Sequence, residues 1–260
     1  MAATRAYAAS TTIATNTNTY TYNSHAIGTA AADRYVVVGY HAVHTLTDAV
    51  VNSITLGGNN MTEIRQDKTN QAVDAYTGLF IRAEASGTTA NIVVSWSQTM
   101  SNCTISVWAL YGIDGTEFHD NGDNTGASTA TSVSTTLNIA SGGVAVAVAI
   151  GTANNAAHTA TGLTEDYDAN TETNGRAHAM SAQSMSVETG RTITSTGTAV
   201  TVRCISAASW QESSSGAMLL RGGKLLQSKM VGGRLAYSGR PKFVPVRYEP
   251  LRGSLHEGLR

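Results

Sequence analysis

Proline is missing from the first 215 residues; all three, Pro241, Pro245 and Pro250, lie near the C-terminus. Charge is scarce too. Only 13% of residues are Asp, Glu, Lys or Arg, and a chain this poor in Glu and Lys argues against a helical body and for short strands joined by turns. The longest apolar run, residues 144–150, is seven residues long, far below the roughly 20 that cross a bilayer as a helix. No apolar signal core follows Met1, so the expectation is a soluble protein without a membrane span, made in a cytoplasm. The two cysteines, Cys103 and Cys204, leave either an inter-strand disulfide or, preferred here, two buried thiols. With 260 residues the chain can bury a core without such staples. Dinucleotide, phosphate-loop and zinc-finger spacings are absent, and no cofactor is expected.

What is present has a period of two. Residues 92–114, IVVSWSQTMSNCTISVWALYGID, read as a central antiparallel hairpin of 92–96 with 103–111. Cys103, Ile105 and Val107 share one face of it, and Trp108 and Leu110 the other. Residues 35–41 are apolar on both faces, as in a strand buried on both sides. Residues 53–56 lead through Gly57-Gly58-Asn59-Asn60 to a return strand at 61–66. Further strands are expected at 79–83, 132–139, 144–150 and 177–187, with 192–194 and 199–210 as a last pair. Residues 112–130 read as a long polar loop and 162–173 as an acidic turn. The fold expected is all-β, an antiparallel β-sandwich or jelly roll with an extended basic C-terminal arm. Its domains are an N-terminal edge segment at 1–32, contributing one edge strand, a body at 33–212 and an arm at 213–260.

Charge marks that arm. Residues 1–215 hold eight Lys+Arg against sixteen Asp+Glu, and residues 216–260 hold nine against two, so net charges of −8 and +7 hide behind a total of −1. Within the arm Leu220-Arg221-Gly222-Gly223-Lys224-Leu225 is echoed by Met230-Val231-Gly232-Gly233-Arg234-Leu235. Each unit is an apolar pair, a Gly-Gly bend, a cation and Leu. Single cations interleaved with apolar residues suit packing on another subunit better than a nucleic-acid tail does. The residues assigned to that contact are Leu220, Arg221, Lys224 and Leu225, then Met230, Val231, Arg234 and Leu235, and finally Tyr237, Arg240, Phe243, Val246, Arg247 and Tyr248.

Catalytic signals are weak. Asp114, Glu117, Asp120 and Asp123 have oxygens for calcium but not EF-hand spacing, and Glu165, Asp166, Asp168 and Glu172 form a similar cluster; solvated loops are the preferred reading of both. His41 and His44 are three apart, which on a strand sends them to opposite faces. His119 beside Asp120 lacks a serine elbow or cysteine nucleophile. Tyr20, Tyr22, Tyr111 and Tyr167 are candidates for stacking on a sugar, against the ordinary role of Tyr in β cores and edges.

From Asp33 the segments DRYVVVGYHAV, ITLGGNNMTEI, GLFIRAEASGTTANIVVSW, CTISVWAL, GGVAVAVAI and GLTEDYD resemble β-sandwich structural proteins of tailed bacteriophages. The likeness covers residues 33–210 and rests on strand rhythm. It implies a non-catalytic virion component, a capsid-decorating, head-associated or tail protein, with other virion proteins and further copies of itself as partners. The alternative is an adhesin module of a tail or fibre that binds a host glycan. An enzyme ranks third.

Overall fold

The computed structural model describes residues 2–44, 48–71, 73–126, 129–152, 156–171, 175–198 and 202–214. Beyond these it describes the backbone of 218–221, 224–227, 229–231 and 234–236. All regular structure in them is antiparallel β. The chain divides into two units, Met1–Ser215 and Gly216–Arg260.

The first unit opens with nine strands: β1 Thr4–Ile13, β2 Thr17–Ala26, β3 Tyr35–His44, β4 Val51–Leu56, β5 Asn59–Asn60, β6 Thr62–Lys68, β7 Asp74–Ala83, β8 Thr89–Met100 and β9 Cys103–Tyr111. They form a five-stranded sheet, β1-β9-β3-β7-β6, and a four-stranded sheet, β2-β8-β4-β5. First strand pairs with last and second with next to last, which is the winding of a jelly roll. Eight more strands follow: β10 Asp120–Gly126, β11 Ser132–Ile139, β12 Gly143–Thr152, β13 Thr159–Thr161, β14 Thr164–Asn170, β15 Gly175–Met185, β16 Glu188–Thr196 and β17 Arg203–Trp210. Their sheets are β10-β17-β12-β15-β14 and β11-β16-β13.

The second set repeats the first. Replacing β1, β2, β3, β4, β6, β7, β8 and β9 by β10 to β17 in turn converts one pair of sheets into the other; only the two-residue β5 has no counterpart. Register agrees with topology. A bulge interrupts the β6/β7 ladder between Glu63 and Arg65, and another interrupts β14/β15 between Glu165 and Tyr167. Thr62-Glu63 therefore corresponds to Thr164-Glu165, and Leu79 to Ala179. Gly39 lies opposite Leu79 and Ser106, as Val148 lies opposite Ala179 and Ser206. This places Ile105-Ser106 on Ile205-Ser206, the same two residues in both repeats.

The layers follow from which faces are apolar. Tyr20, Tyr22, Tyr40, Ile54, Trp96, Cys103, Ile105 and Val107 fill the space between the two sheets of the first sandwich. Leu137, Ala145, Ala147, Ala149, Met180 and Ile193 do so in the second. The two five-stranded sheets then pack on each other through Val37, Leu79, Trp108, Leu110, Val146, Val148 and Trp210. These two sheets are called inner below, and the smaller ones outer. β3 and β12 are apolar on both faces because each serves two cores. β12 sends valines toward the other inner sheet and alanines toward its own outer sheet, where methyl groups permit close approach.

Several sequence expectations change. β8 and β9 do not form a hairpin: β8 belongs to an outer sheet and β9 to an inner one. Ser101 and Asn102 carry the chain across the sandwich, with buried Asn102 accepting a bond from Val43 N at 3.3 Å. β16 and β17 are likewise in different sheets, not a last pair. Alternation gives which face a residue takes but says nothing about its pairing partner, and a short polar link serves a crossing as well as a turn. The polar stretch 112–130 contains β10, and the acidic turn is the strand β14. Residues 1–32 supply two edge strands, one to each sheet of the first sandwich, where one was expected.

In the second unit, β18 Met218–Arg221 pairs with β19 Lys224–Gln227, and β20 Lys229–Val231 with β21 Arg234–Ala236.

Candidate functional site

The internal sequence echo in the C-terminal unit is also an echo in backbone pairing. Leu220 is the partner of Leu225 and Arg221 of Lys224; Met230 is the partner of Leu235 and Val231 of Arg234. Each pair of strands is joined by two residues that are Gly-Gly in sequence, a composition that favours two-residue hairpin loops. Each pairing thus sets a cation at the inner end of a short ladder. Tyr237, Arg240, Phe243, Val246, Arg247 and Tyr248 lie outside the described residues.

In the first unit a connected row of polar side chains runs from the interior of the second sandwich to an exposed glutamate at its surface. It joins His158, which precedes β13, to Glu165 of β14, His178 of β15, Ser195 of β16 and Arg203 of β17. Arg203 Nη1 lies 3.3 Å from His158 Nε2, and His158 Nδ1 lies 3.4 Å from Ser195 Oγ. Ser195 Oγ is 2.8 Å from His178 Nδ1, whose Nε2 is 3.1 Å from Glu165 Oε2. A guanidinium only donates and an ionised carboxylate only accepts, so the two ends fix every proton between them. Arg203 donates to His158, His158 to Ser195, Ser195 to His178, and His178 to Glu165.

Both imidazoles are neutral in this chain. Burial holds each pKa down to about 4; Arg203 adds to the effect on His158, and His158 adds to that on His178. Beside them Asp168 accepts both Nε and Nη2 of Arg176 at 2.6 Å and the backbone N of His158 at 3.0 Å. That bidentate pair anchors the segment before β13.

Serine, histidine and glutamate in a row suggest a nucleophilic triad, but the surroundings give another role. Ser195 and His178 are fully buried, and the Ser195 hydroxyl is committed on both sides, so no substrate atom can reach it. The chain of bonds instead satisfies polar groups within an alanine-rich core. In the first sandwich the position of His178 is taken by Gly78 and that of Ala149 by Tyr40, by the register given above. A bulky ring is thus supplied from β3 in one repeat and from β15 in the other. Tyr40 OH reaches Gln66 Oε1 at 3.1 Å, much as His178 reaches Glu165.

The remaining sequence candidates are dispersed. Asp114 accepts from Gln211 Nε2 at 3.0 Å, Asp120 from Asn138 N at 2.6 Å, and Asp123 pairs with Arg65. Asp166 is bound by Arg5, Trp108 and Ser181, and Glu172 lies outside the described residues. Among the described residues no group of three or more His, Cys, Asp or Glu is placed to hold a metal ion. His41 is buried and neutral, with burial pushing its pKa down to about 3; it donates from Nδ1 to Ala149 O at 3.0 Å. Tyr20 and Tyr22 are corrected from candidate sugar platforms to core residues, 1% and 3% exposed, donating to Met100 O and Cys103 O. Tyr111 donates to Thr29 O, and Tyr167 packs against the inner core. Cys103 and Cys204 are free thiols in different cores.

The relay was not legible in the sequence. His158, His178, Ser195 and Arg203 are far apart in the chain; inward phase on their strands could have flagged His178, Ser195 and Arg203, whereas His158 precedes β13 and carries no such signal. No family model, no curated protein and no solved structure matches this chain. No described helix is long and apolar enough to cross a membrane.

Proposed function

We propose that this chain is a non-catalytic structural component of a phage virion, with the tandem jelly-roll body displayed on the particle and the basic C-terminal unit clamping neighbouring subunits. The observation that carries the reading is the coincidence of two boundaries. The charge balance changes from −8 to +7 across the uncharged stretch 213–220, and the compact body ends within it. An acidic body and a basic, apolar-rich appendage are complementary between copies, which favours head-to-tail association. The body supports a scaffolding role because Ser195 and His178, the serine and histidine of its triad-like row, are fully buried. Assignment to a virion rests on the resemblance of residues 33–210 to phage sandwich proteins.

Light scattering after size exclusion tests this, comparing the full chain with residues 1–215 at low and high salt. The full chain is expected to form defined assemblies that weaken with salt, and the truncated chain to be a compact monomer. Equal oligomers from both would place the contact on the body and overturn the clamp. Incorporation into particles assembled in its presence is expected for the full chain alone. Binding to host envelope polysaccharide by residues 1–215 would favour the adhesin reading instead.

A further inference from the structure

The contact between the two inner sheets relates equivalent elements to each other. β3 packs against its own counterpart β12, β6 against β10, and β1 against β14 and β15. Since β6 corresponds to β14 and β1 to β10, exchanging the repeats turns the β6 and β10 contact into the contact of β14 with β1. The sandwiches are therefore related by an approximate local twofold axis that passes where β3 crosses β12, with β6 and β7 packed more closely on β17 than β14 and β15 are on β9. Gly39 and Val148 are equivalent by register and meet there: a Cβ on Gly39 would overlap Val148 Cγ1.

A symmetric contact between identical faces would be satisfied by like pairing, but three features of this one break the symmetry. At the axis, Val148 fills the space left by Gly39; two copies of the second face would bring Val148 against Val148, and two of the first would leave a void. At one edge Arg65 of β6 pairs with Asp123 of β10, and at the other Arg5 of β1 reaches Asp166 of β14 at 3.1 Å. Both arginines are on the first sandwich and both aspartates on the second. By register Asp123 corresponds to Ser10 and Asp166 to Ile64, so two first faces would leave Arg65 and Arg5 without their carboxylates, and two second faces would leave Asp123 and Asp166 without their arginines, in a partly buried seam. Trp108 Nε1 donates to Asp166 at 2.9 Å, and Thr77 Oγ1 meets Ser206 Oγ at 2.8 Å. These direct bonds add to the specificity of the unlike pair.

We infer that the two inner faces form a heterospecific binding interface in its own right, so that each repeat recognises the other repeat and rejects its own kind, independently of the covalent link through residues 112–119. The chain is a tied heterodimer of two diverged copies of one unit. This does not depend on what the C-terminal unit binds.

The first test uses the full chain with a protease site inserted between Gly115 and Thr116. After cleavage both fragments are expected to stay together at 1:1 in 1 M salt, because the seam is chiefly apolar. When nicked protein is mixed with an isotope-labelled nicked sample, native mass spectrometry should find only N-with-C pairs. Separation of the fragments, or like-with-like pairs, would overturn the inference. A second test needs no cleavage. Gly39→Val should lower the denaturation midpoint sharply and Val148→Gly should lower it less. The double exchange should recover to a midpoint above Gly39→Val alone, since the two positions trade places across the axis. Losses that merely add would remove the twofold relation on which the inference stands.

Discussion

Arg203 Nη1 stands 3.3 Å from His158 Nε2 and can only donate, so the proton of His158 must sit on Nδ1. This one contact sets the direction of the whole bond chain to Glu165, and it makes a second charge on His158 unfavourable. Acid sensitivity follows. Both histidines titrate at about 4 in the folded chain against an ordinary 6.5, so between those values the unfolded chain binds more protons. Their contribution is complete above pH 6.5 and is lost as pH falls toward 4. Each shift corresponds to about 3 kcal/mol, and the pair to less than twice that because their mutual repulsion is shared. Buried His41 loses stability in the same direction. Urea midpoints measured from pH 7 to pH 4 should fall steadily, and His178→Gln should flatten the profile.

Ser195→Ala leaves the His178 Nδ1 acceptor and the His158 Nδ1–H donor without partners in a buried site. A loss of about 2 to 4 kcal/mol is expected from two unsatisfied groups. Hydrogen exchange should speed up in β13 to β16 and stay unchanged in β1 to β9, and any measured hydrolytic activity should not change with it.

Arg34 is a buried guanidinium held by carbonyls alone: Nε donates to Glu84 O, Nη1 to Gly28 O and Gly87 O, and Nη2 to Ser86 O. Lysine cannot reproduce this planar spread of donors. Arg34→Lys should cost about 2 to 4 kcal/mol, with faster amide exchange at residues 84–88 as the local sign.

Gly78 lies under the ring of Tyr40. A Cβ there would stand 2.5 Å from Tyr40 Cε1 and 2.7 Å from Arg65 O. Gly78→Ala should lose about 2 kcal/mol or more through overpacking against backbone. Thermal melts of this variant beside Gly57→Ala, where space is open but φ is +58°, would separate steric from backbone effects.

Strand identity was legible in the sequence wherever alternation was strong. The inward set Ile105 and Val107, the doubly buried β3 and the Val/Ala division of β12 all stand as read. Pairing was not legible, because crossing between sheets at Ser101-Asn102 has the same polar signature as a hairpin. The repeat was hidden for a related reason. Cys103-Thr-Ile-Ser and Arg203-Cys-Ile-Ser hint at it, but a local comparison aligns the cysteines, whereas the register aligns Ile105-Ser106 with Ile205-Ser206 and puts the two cysteines on opposite faces. Exchanges such as Tyr40 with Gly78 for Ala149 with His178 conserve volume across two strands and leave no similarity along either one. The relay needed the fold to bring five separate segments together.

Jelly-roll winding also sets an order on synthesis. β1 can pair only when β9 has left the ribosome, so at least the first 111 residues must be made before the first sandwich closes. Even then Val37, Leu79, Trp108 and Leu110 face outward until the second repeat arrives to cover them. The nascent chain thus passes through a long interval with an adhesive half-molecule exposed, and a pause or truncation in residues 120–210 would release a product prone to aggregation.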